Sequence, residues 1–250
     1  MSLNDSGLFG LPLNESEADL FILPVPWDVT SSGKKGSASC SHAVLEASKE
    51  IDLYHQDLNE VWKMKAHMAD VPLEWSDLNK YYGTKHEQAI KLMARGIEPG
   101  SDDKLDLLLS EVNGQCKELN NWVINRSKEQ LSKSRTMGVL GGDHSCALGL
   151  IQALSQQYNE FGILQIDAHA DLRPAYQGFE YSHASVFHNA LKINQITHLT
   201  QVGVRDICEQ EIKTIDQSGG RISSYGNREL QSSMFRGNTW DKLCGEIIST

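Results

Sequence analysis

Blocks of apolar and polar residues along the chain predict a mainly parallel sheet with crossover helices. Short apolar runs bounded by turn residues indicate strands, and helical spacing of apolar residues indicates helices. The predicted strands are 20–25, 136–140, 161–166 and 196–204, of which 20–25 and 161–166 are expected to be buried. The predicted helices are 43–49, 104–132, 146–158, 185–191, 208–217 and 240–248. The stretch 61–100 gives weak signals, and no element is assigned there.

Composition narrows the class of protein. The 250 residues are enough for one α/β domain, and the net charge of −10 argues against non-specific nucleic-acid binding, which needs a basic face. No segment approaches the roughly 18 apolar residues of a membrane span. The first twenty residues lack a basic region followed by an apolar run, so a cytoplasmic protein is expected. Five widely spaced cysteines without a C-x-x-C pair disfavour a disulfide framework and a structural zinc site.

The first polar segment that follows a predicted strand is GGDHS, residues 141–145. Its glycines allow a sharp turn and close approach of other atoms. His144 would then lie at the carboxyl edge of the sheet, where functional residues of parallel sheets collect. The alternative is a histidine that only caps or packs.

The second segment is DAHAD, residues 167–171, directly after the predicted strand 161–166. Asp167, His169 and Asp171 stand at i, i+2 and i+4, so an extended backbone would project all three side chains to one side. Such convergence is costly unless a cation compensates it. The alternative is a salt-bridged loop in which Arg173 is the partner.

Together the two segments offer carboxylate and imidazole ligands without a thiolate. Such a set suits Mn²⁺, Fe²⁺ or Zn²⁺, and its richness in carboxylates favours Mn²⁺. The spacing is compatible with one ion or with two.

GGDHS followed about twenty residues later by DAHAD resembles the first two metal-binding motifs of the ureohydrolase family, which includes arginases, agmatinases and formiminoglutamases. The segment PVPWDVTSSGKKGSASCSHAVLEAS resembles the family's N-terminal strand and loop, and QVGVRDICEQE resembles a later strand and helix. The resemblance implies a single three-layer α/β/α domain with a mainly parallel sheet, as in arginases and deacetylases. It also implies a homo-oligomer, either trimer or hexamer.

The family uses two manganese ions to activate water for attack on a guanidinium carbon. By motif position, His144, Asp167 and Asp171 would bind one ion, and Asp167 and His169 would bind the other. Asp143 would orient His144 rather than bind metal. His183, in YSHAS, matches a family histidine near the substrate and would pass a proton to the leaving amine. The alternative for His183 is a helix N-terminal residue without a catalytic role.

One departure concerns the family's third motif, a strand that ends in Asp-x-Asp. No Asp-x-Asp occurs in the 250 residues, and the family's later glutamate that pairs with the guanidinium is also absent. The sequence is therefore expected to be a ureohydrolase domain truncated before that motif, and the 250-residue chain is expected to bind manganese weakly.

The substrate prediction depends on Arg173, the candidate substrate-binding residue. Family arginases carry asparagine at this position, so Arg173 argues against arginine, and together with YSHAS it resembles agmatinases. Agmatine, cleaved to putrescine and urea in polyamine biosynthesis, is thus the expected substrate. Formiminoglutamate hydrolase, arginase, a deacetylase-like hydrolase and a metal-poor binding subunit remain as alternatives.

Overall fold

The computed structural model describes residues 7–250. The strands are β1 (Leu20–Val25), β2 (Ala66–Met68), β3 (Thr136–Gly141), β4 (Phe161–Ile166), β5 (Ile196–Val202) and β6 (Ile222–Tyr225). The α-helices are α1 (Cys40–Ser48), α2 (Leu73–Met93), α3 (Asp103–Leu131), α4 (Leu148–Ser155), α5 (Val186–Ala190), α6 (Glu209–Asp216), α7 (Asn227–Phe235) and α8 (Trp240–Ile248). The first six residues, part of the segment tested for a secretory signal, lie outside the described residues. Within the described part, no helix is both long and apolar enough to cross a membrane.

The chain divides into two compact units. The first contains residues up to 153 together with 177–183, and the second contains 154–176 together with 184–250. The first unit has a parallel sheet in the order β2-β1-β3, in which β1 is central and pairs with β3 along its whole length. Because β1 is central, its LFILPV sequence is buried along most of its length, and the prediction of a buried strand is confirmed there.

The core of the first unit lies around the end of β1. The indole of Trp27 is fully buried and meets that of Trp75 edge-on, with ring centroids 5.9 Å apart. Helix α3 contributes a stripe of buried apolar residues that includes Leu105, Val112 and Leu119 at helical spacing. This packing fixes the loop that follows β1, because Trp27 and Val29 in that loop belong to the same core.

The second unit has a parallel sheet in the order β4-β5-β6. Strand β4 begins and ends at the predicted residues, but the prediction that it is buried is wrong for one of its faces. Leu164 and Ile166 are 60% and 79% exposed, whereas Gln165, which points the other way, is buried. An apolar run alone does not distinguish a strand covered on both faces from one covered on a single face.

The prediction of an α/β fold with parallel strands is confirmed, but several elements were not assigned from the sequence. Helix α2, within the unassigned stretch 61–100, buries Trp75, Gly83, His86 and Ala89. Leu78, Tyr82, Ile90 and Met93 of the same helix also pack against the core, so an apolar stripe at helical spacing is present but lies among many polar and charged residues. Strand β6 and helix α7 are likewise short elements that carried no assignment.

Two helical glycines test the packing of the first unit. A Cβ at Gly149 would lie 2.6 Å from Val123 Cβ, so we expect Gly149→Ala to lower the free energy of unfolding by about 1–3 kcal/mol through overpacking. Gly114 in α3 is exposed with open space around it, so Gly114→Ala should raise the same quantity by about 0.5–1 kcal/mol. Urea unfolding followed by circular dichroism measures both. Equal effects of the two substitutions would contradict the helix packing described here.

Candidate metal centre

In the first unit, the turn that carries His144 is bound tightly to the end of β1. The Gly142 amide donates to Val25 O at 3.1 Å, and the Asp143 amide donates to Trp27 O at 2.9 Å. A Cβ at Gly142 would lie 1.9 Å from Trp27 O, a distance that no side chain allows. Glycine is therefore required at this position by close backbone approach.

Asp143 holds the same turn through its side chain. Its Oδ1 accepts a hydrogen bond from the Ser145 amide at 3.0 Å, and its Oδ2 accepts one from Thr30 Oγ1 at 3.0 Å. The Ser145 hydroxyl also donates to Oδ1. Burial raises the pKa of the Asp143 carboxyl, and these hydrogen bonds oppose that rise. The carboxylate caps the short 3₁₀ turn His144–Ala147 and so positions the backbone of His144.

The predicted catalytic residue His183 begins a second 3₁₀ turn, and its Nε2 lies 3.4 Å from Ser32 Oγ. Ser32 also lines a pocket of about 470 Å³ in the first unit, together with Lys35, His86 and Lys91. His86 is one of the buried residues of helix α2. It is buried against the Phe179 ring, and this burial, with the charges of Lys35 and His183, lowers its pKa to about 4.

In the second unit, the second motif follows β4 directly. The Asp167 Oδ1 accepts the His169 amide at 3.0 Å and lies 3.4 Å from His169 Nδ1, while His169 Nε2 lies 3.8 Å from Asp206. The expectation of an extended backbone through all three residues is wrong at Asp171, whose φ is 53°. Aspartate tolerates this left-handed conformation. As a result Asp171 is buried, whereas the side chain of His169 is 59% exposed.

Arg173 contacts two side chains of the second unit. Its Nε lies 3.6 Å from Glu211 Oε2, and its guanidinium lies over the Tyr176 ring at 5.1 Å. Glu211 is buried and also accepts hydrogen bonds from the Leu172 and Cys208 amides, each at 3.0 Å. Arg173 therefore has a structural partner that is not one of the second-motif aspartates.

The donor types fit a hard or borderline cation. The first unit offers the imidazole of His144, and the second unit offers the carboxylates of Asp167 and Asp171. Imidazole and carboxylate donors without thiolate suit Mn²⁺. The cysteine nearest in sequence, Cys146, is buried with its thiol directed at the Val25 and Trp27 carbonyl oxygens, and burial raises its pKa. It is thus held as a thiol rather than as a metal-binding thiolate.

Comparison with known proteins decides the family. The model of the arginase family matches residues 18–234, which is most of the chain. The chain belongs to the arginase family.

Among curated proteins, this arginase-family chain is similar to the N(1)-aminopropylagmatine ureohydrolase of Thermus thermophilus, with 28% identity over 203 residues, and to the agmatinase of Citrobacter koseri, with 26% identity over 208 residues. Each match covers 81% of this chain and 56% of the relative. The chain therefore spans about half the length of these curated relatives.

Among solved structures, the agmatine ureohydrolase of Thermoplasma volcanium aligns with a TM-score of 0.65 and 20% identity, covering 94% of this chain and 64% of that chain. At this identity the likeness shows the fold alone. The predicted three-layer α/β/α architecture of the arginase family is confirmed by it.

The contacts of Glu211 generate a stability prediction. Glu211→Ala would leave the buried Leu172 amide and the partly buried Cys208 amide without their acceptor, and Arg173 without its partner. We expect this substitution to lower the free energy of unfolding by about 2–4 kcal/mol. The matched control is Glu209→Ala on the same helix, since Glu209 is exposed and forms a surface ion pair with Lys213, one turn further along. Urea unfolding is the measurement, and a Glu211 variant as stable as the Glu209 variant would show that these contacts contribute little.

Proposed function

We propose that this chain forms part of a manganese-dependent ureohydrolase that cleaves a guanidino C–N bond and releases urea. The observation that carries the proposal is the placement of two ligand-bearing motifs directly after parallel strands, one after β3 and one after β4, in a chain of the arginase family. Agmatine is the substrate that we propose, with putrescine as the second product.

The ligands of the proposed site are those that the motifs supply. His144, Asp167 and Asp171 would hold one ion, and Asp167 with His169 would hold a second. When bound, manganese supplies Lewis acidity and lowers the pKa of water at the site. Asp143 contributes by fixing the turn of His144 rather than by binding an ion, since its carboxylate oxygens are occupied by Ser145 and Thr30.

His183 is the proposed proton carrier. Its ring is partly buried and lies beside a pocket, with Nε2 near the Ser32 hydroxyl. An imidazole in this position can hold a proton at Nε2 and deliver it to the departing amine, which is a poor leaving group unless it is protonated.

The surroundings of Arg173 support a substrate without a carboxylate. A substrate carboxylate would have to compete with Glu211, which is buried and needs the guanidinium nearby. Agmatine lacks that group, whereas arginine carries it. Arg173 would then act on the substrate only indirectly, by supporting the loop that carries the metal ligands.

A second candidate substrate is N(1)-aminopropylagmatine, because a relative with 28% identity is named for its hydrolysis. The pocket beside Ser32 carries Lys35 and Lys91 against one carboxylate, Glu87. An additional cationic amine on the substrate would be repelled there, so we favour agmatine. A homo-oligomeric assembly and a cytoplasmic location also stay predictions.

When the chain is extended through the family's third motif and Mn²⁺ is added, we expect it to release urea from agmatine faster than from arginine or N(1)-aminopropylagmatine, measured by a urea assay at matched concentrations. Asp167→Ala should abolish release, because loss of the shared carboxylate leaves the ions uncompensated. The matched control is Asp216→Ala, an exposed carboxylate on α6. Manganese binding without urea from any guanidino compound would favour a binding subunit, and hydrolysis of an acetyl-amine instead would favour a deacetylase.

His183→Ala should lower turnover of agmatine by roughly 10²-fold, the lower end for a positioned general acid, while manganese content stays unchanged. His42→Ala, at an exposed histidine of α1, serves as the control. Turnover comes from urea release and manganese content from elemental analysis. Full activity of the His183 variant would remove this residue from the mechanism.

A further inference from the structure

We propose that Gln165 and Gln201 form a positioning pair that fixes the second-motif loop, residues 167–173, before any metal binds. The two side chains are buried on neighbouring strands of the second unit. The inference concerns the shape of the loop, and only its consequence for manganese rests on the proposed function.

The pair is created by strand register. Gln165 on β4 and Gln201 on β5 are direct partners in the parallel ladder, so their side chains lie side by side on the same face of the sheet. Gln201 Nε2 donates to Gln165 Oε1 at 2.6 Å and to the carbonyl oxygen of Ala170 at 2.8 Å. The first contact joins the two amides, and the second ties them to the loop.

Gln165 in turn donates hydrogen bonds to two residues of the proposed metal site. Its Nε2 donates to Asp167 Oδ2 at 3.3 Å and to the carbonyl oxygen of His169 at 3.0 Å. Both of these partners are acceptors only, so the amide orientation of Gln165 is determined by its neighbours. With Oε1 accepting from Gln201, every polar atom of Gln165 has a partner.

These contacts explain why amides are needed at both positions. An apolar side chain would remove the donor to the carbonyl oxygen of buried Ala170 or of His169, and glutamate at 165 would place a second carboxylate against Asp167. Gln201 Oε1 itself has no hydrogen-bond partner among the described residues. Gln201 therefore acts through the two hydrogen bonds that its Nε2 donates, one to Gln165 Oε1 and one to the Ala170 carbonyl oxygen.

At the proposed site, these contacts orient the Asp167 carboxylate before any ion binds. Asp167 Oδ1 accepts the His169 amide, and Oδ2 accepts from Gln165, so rotation of the carboxylate is restricted from both oxygens. A ligand held in one orientation loses less conformational entropy when an ion binds. Gln165 and Gln201 are therefore positioning residues that act through Asp167 and the loop backbone.

The test uses Gln201→Leu and Gln165→Met, which keep the approximate size of each side chain and remove its donors. Thr200→Val is the matched control, since Thr200 is also buried on β5 and neighbours Gln201 in sequence. Hydrogen–deuterium exchange in metal-free buffer reports on the loop amides of His169 and Leu172, which donate to Asp167 and Glu211 respectively. We expect exchange at these amides to become about tenfold faster in both glutamine variants and to stay unchanged in the control.

A second measurement separates this inference from the proposed function. The loss of the free Mn²⁺ signal in electron paramagnetic resonance gives the manganese affinity of each variant, and we expect it to be about tenfold weaker in both glutamine variants than in the control. If Gln201→Leu does not fold, Gln165→Met still decides the matter, because Gln201 keeps its bond to Ala170. Unchanged loop exchange in a folded glutamine variant overturns the inference. Faster exchange in a protein that binds no manganese supports the positioning pair and contradicts the proposed metal site.

Discussion

The structure of the second unit depends on hydrogen bonds to the polar groups that the second-motif loop buries. The loop leaves β4 and buries the Asp171 carboxylate in the interior, where an unpartnered polar group is costly. Backbone groups of the next strand's loop provide some partners, since Ala168 O accepts from the Arg205 and Asp206 amides. Glu211 and the glutamine pair provide others. The geometry of the candidate metal ligands in this loop therefore depends on hydrogen bonding throughout the unit rather than on the DAHAD motif alone.

In the first unit, the turn that carries His144 is held in place mainly by close packing. Its His144 turn lies so near the chain after β1 that a glycine hydrogen at Gly142 is all that fits beside the Trp27 carbonyl. Trp27 is in turn fixed by Trp75, which belongs to α2. A packed interior of this kind has few alternative arrangements, so the turn needs only one capping carboxylate, Asp143, to complete it.

The sequence predicted what depends on local pattern. Apolar runs located β1 and β4 at their observed limits, and GGDHS and DAHAD located the polar turns after β3 and β4. It did not predict what depends on tertiary context. The left-handed backbone at Asp171 arises from contacts of the folded loop, and the pairing of Gln165 with Gln201 joins residues 36 positions apart through strand register. Helix α2 was missed although Trp75, Leu78, Tyr82 and Ile90 stand at helical spacing, because polar and charged residues dominate the rest of the segment.

Under the proposed function, substrate specificity and stability are coupled at Arg173. The position after the second motif is one at which family members differ, yet here its guanidinium serves a buried carboxylate that also holds the Leu172 and Cys208 amides. Replacing Arg173 by asparagine, as arginases have it, would remove the positive partner of Glu211 while leaving the carboxylate buried. A change of substrate at this position would therefore need a compensating change at Glu211. Selection for a different substrate would therefore act on Arg173 and Glu211 together rather than on either residue alone.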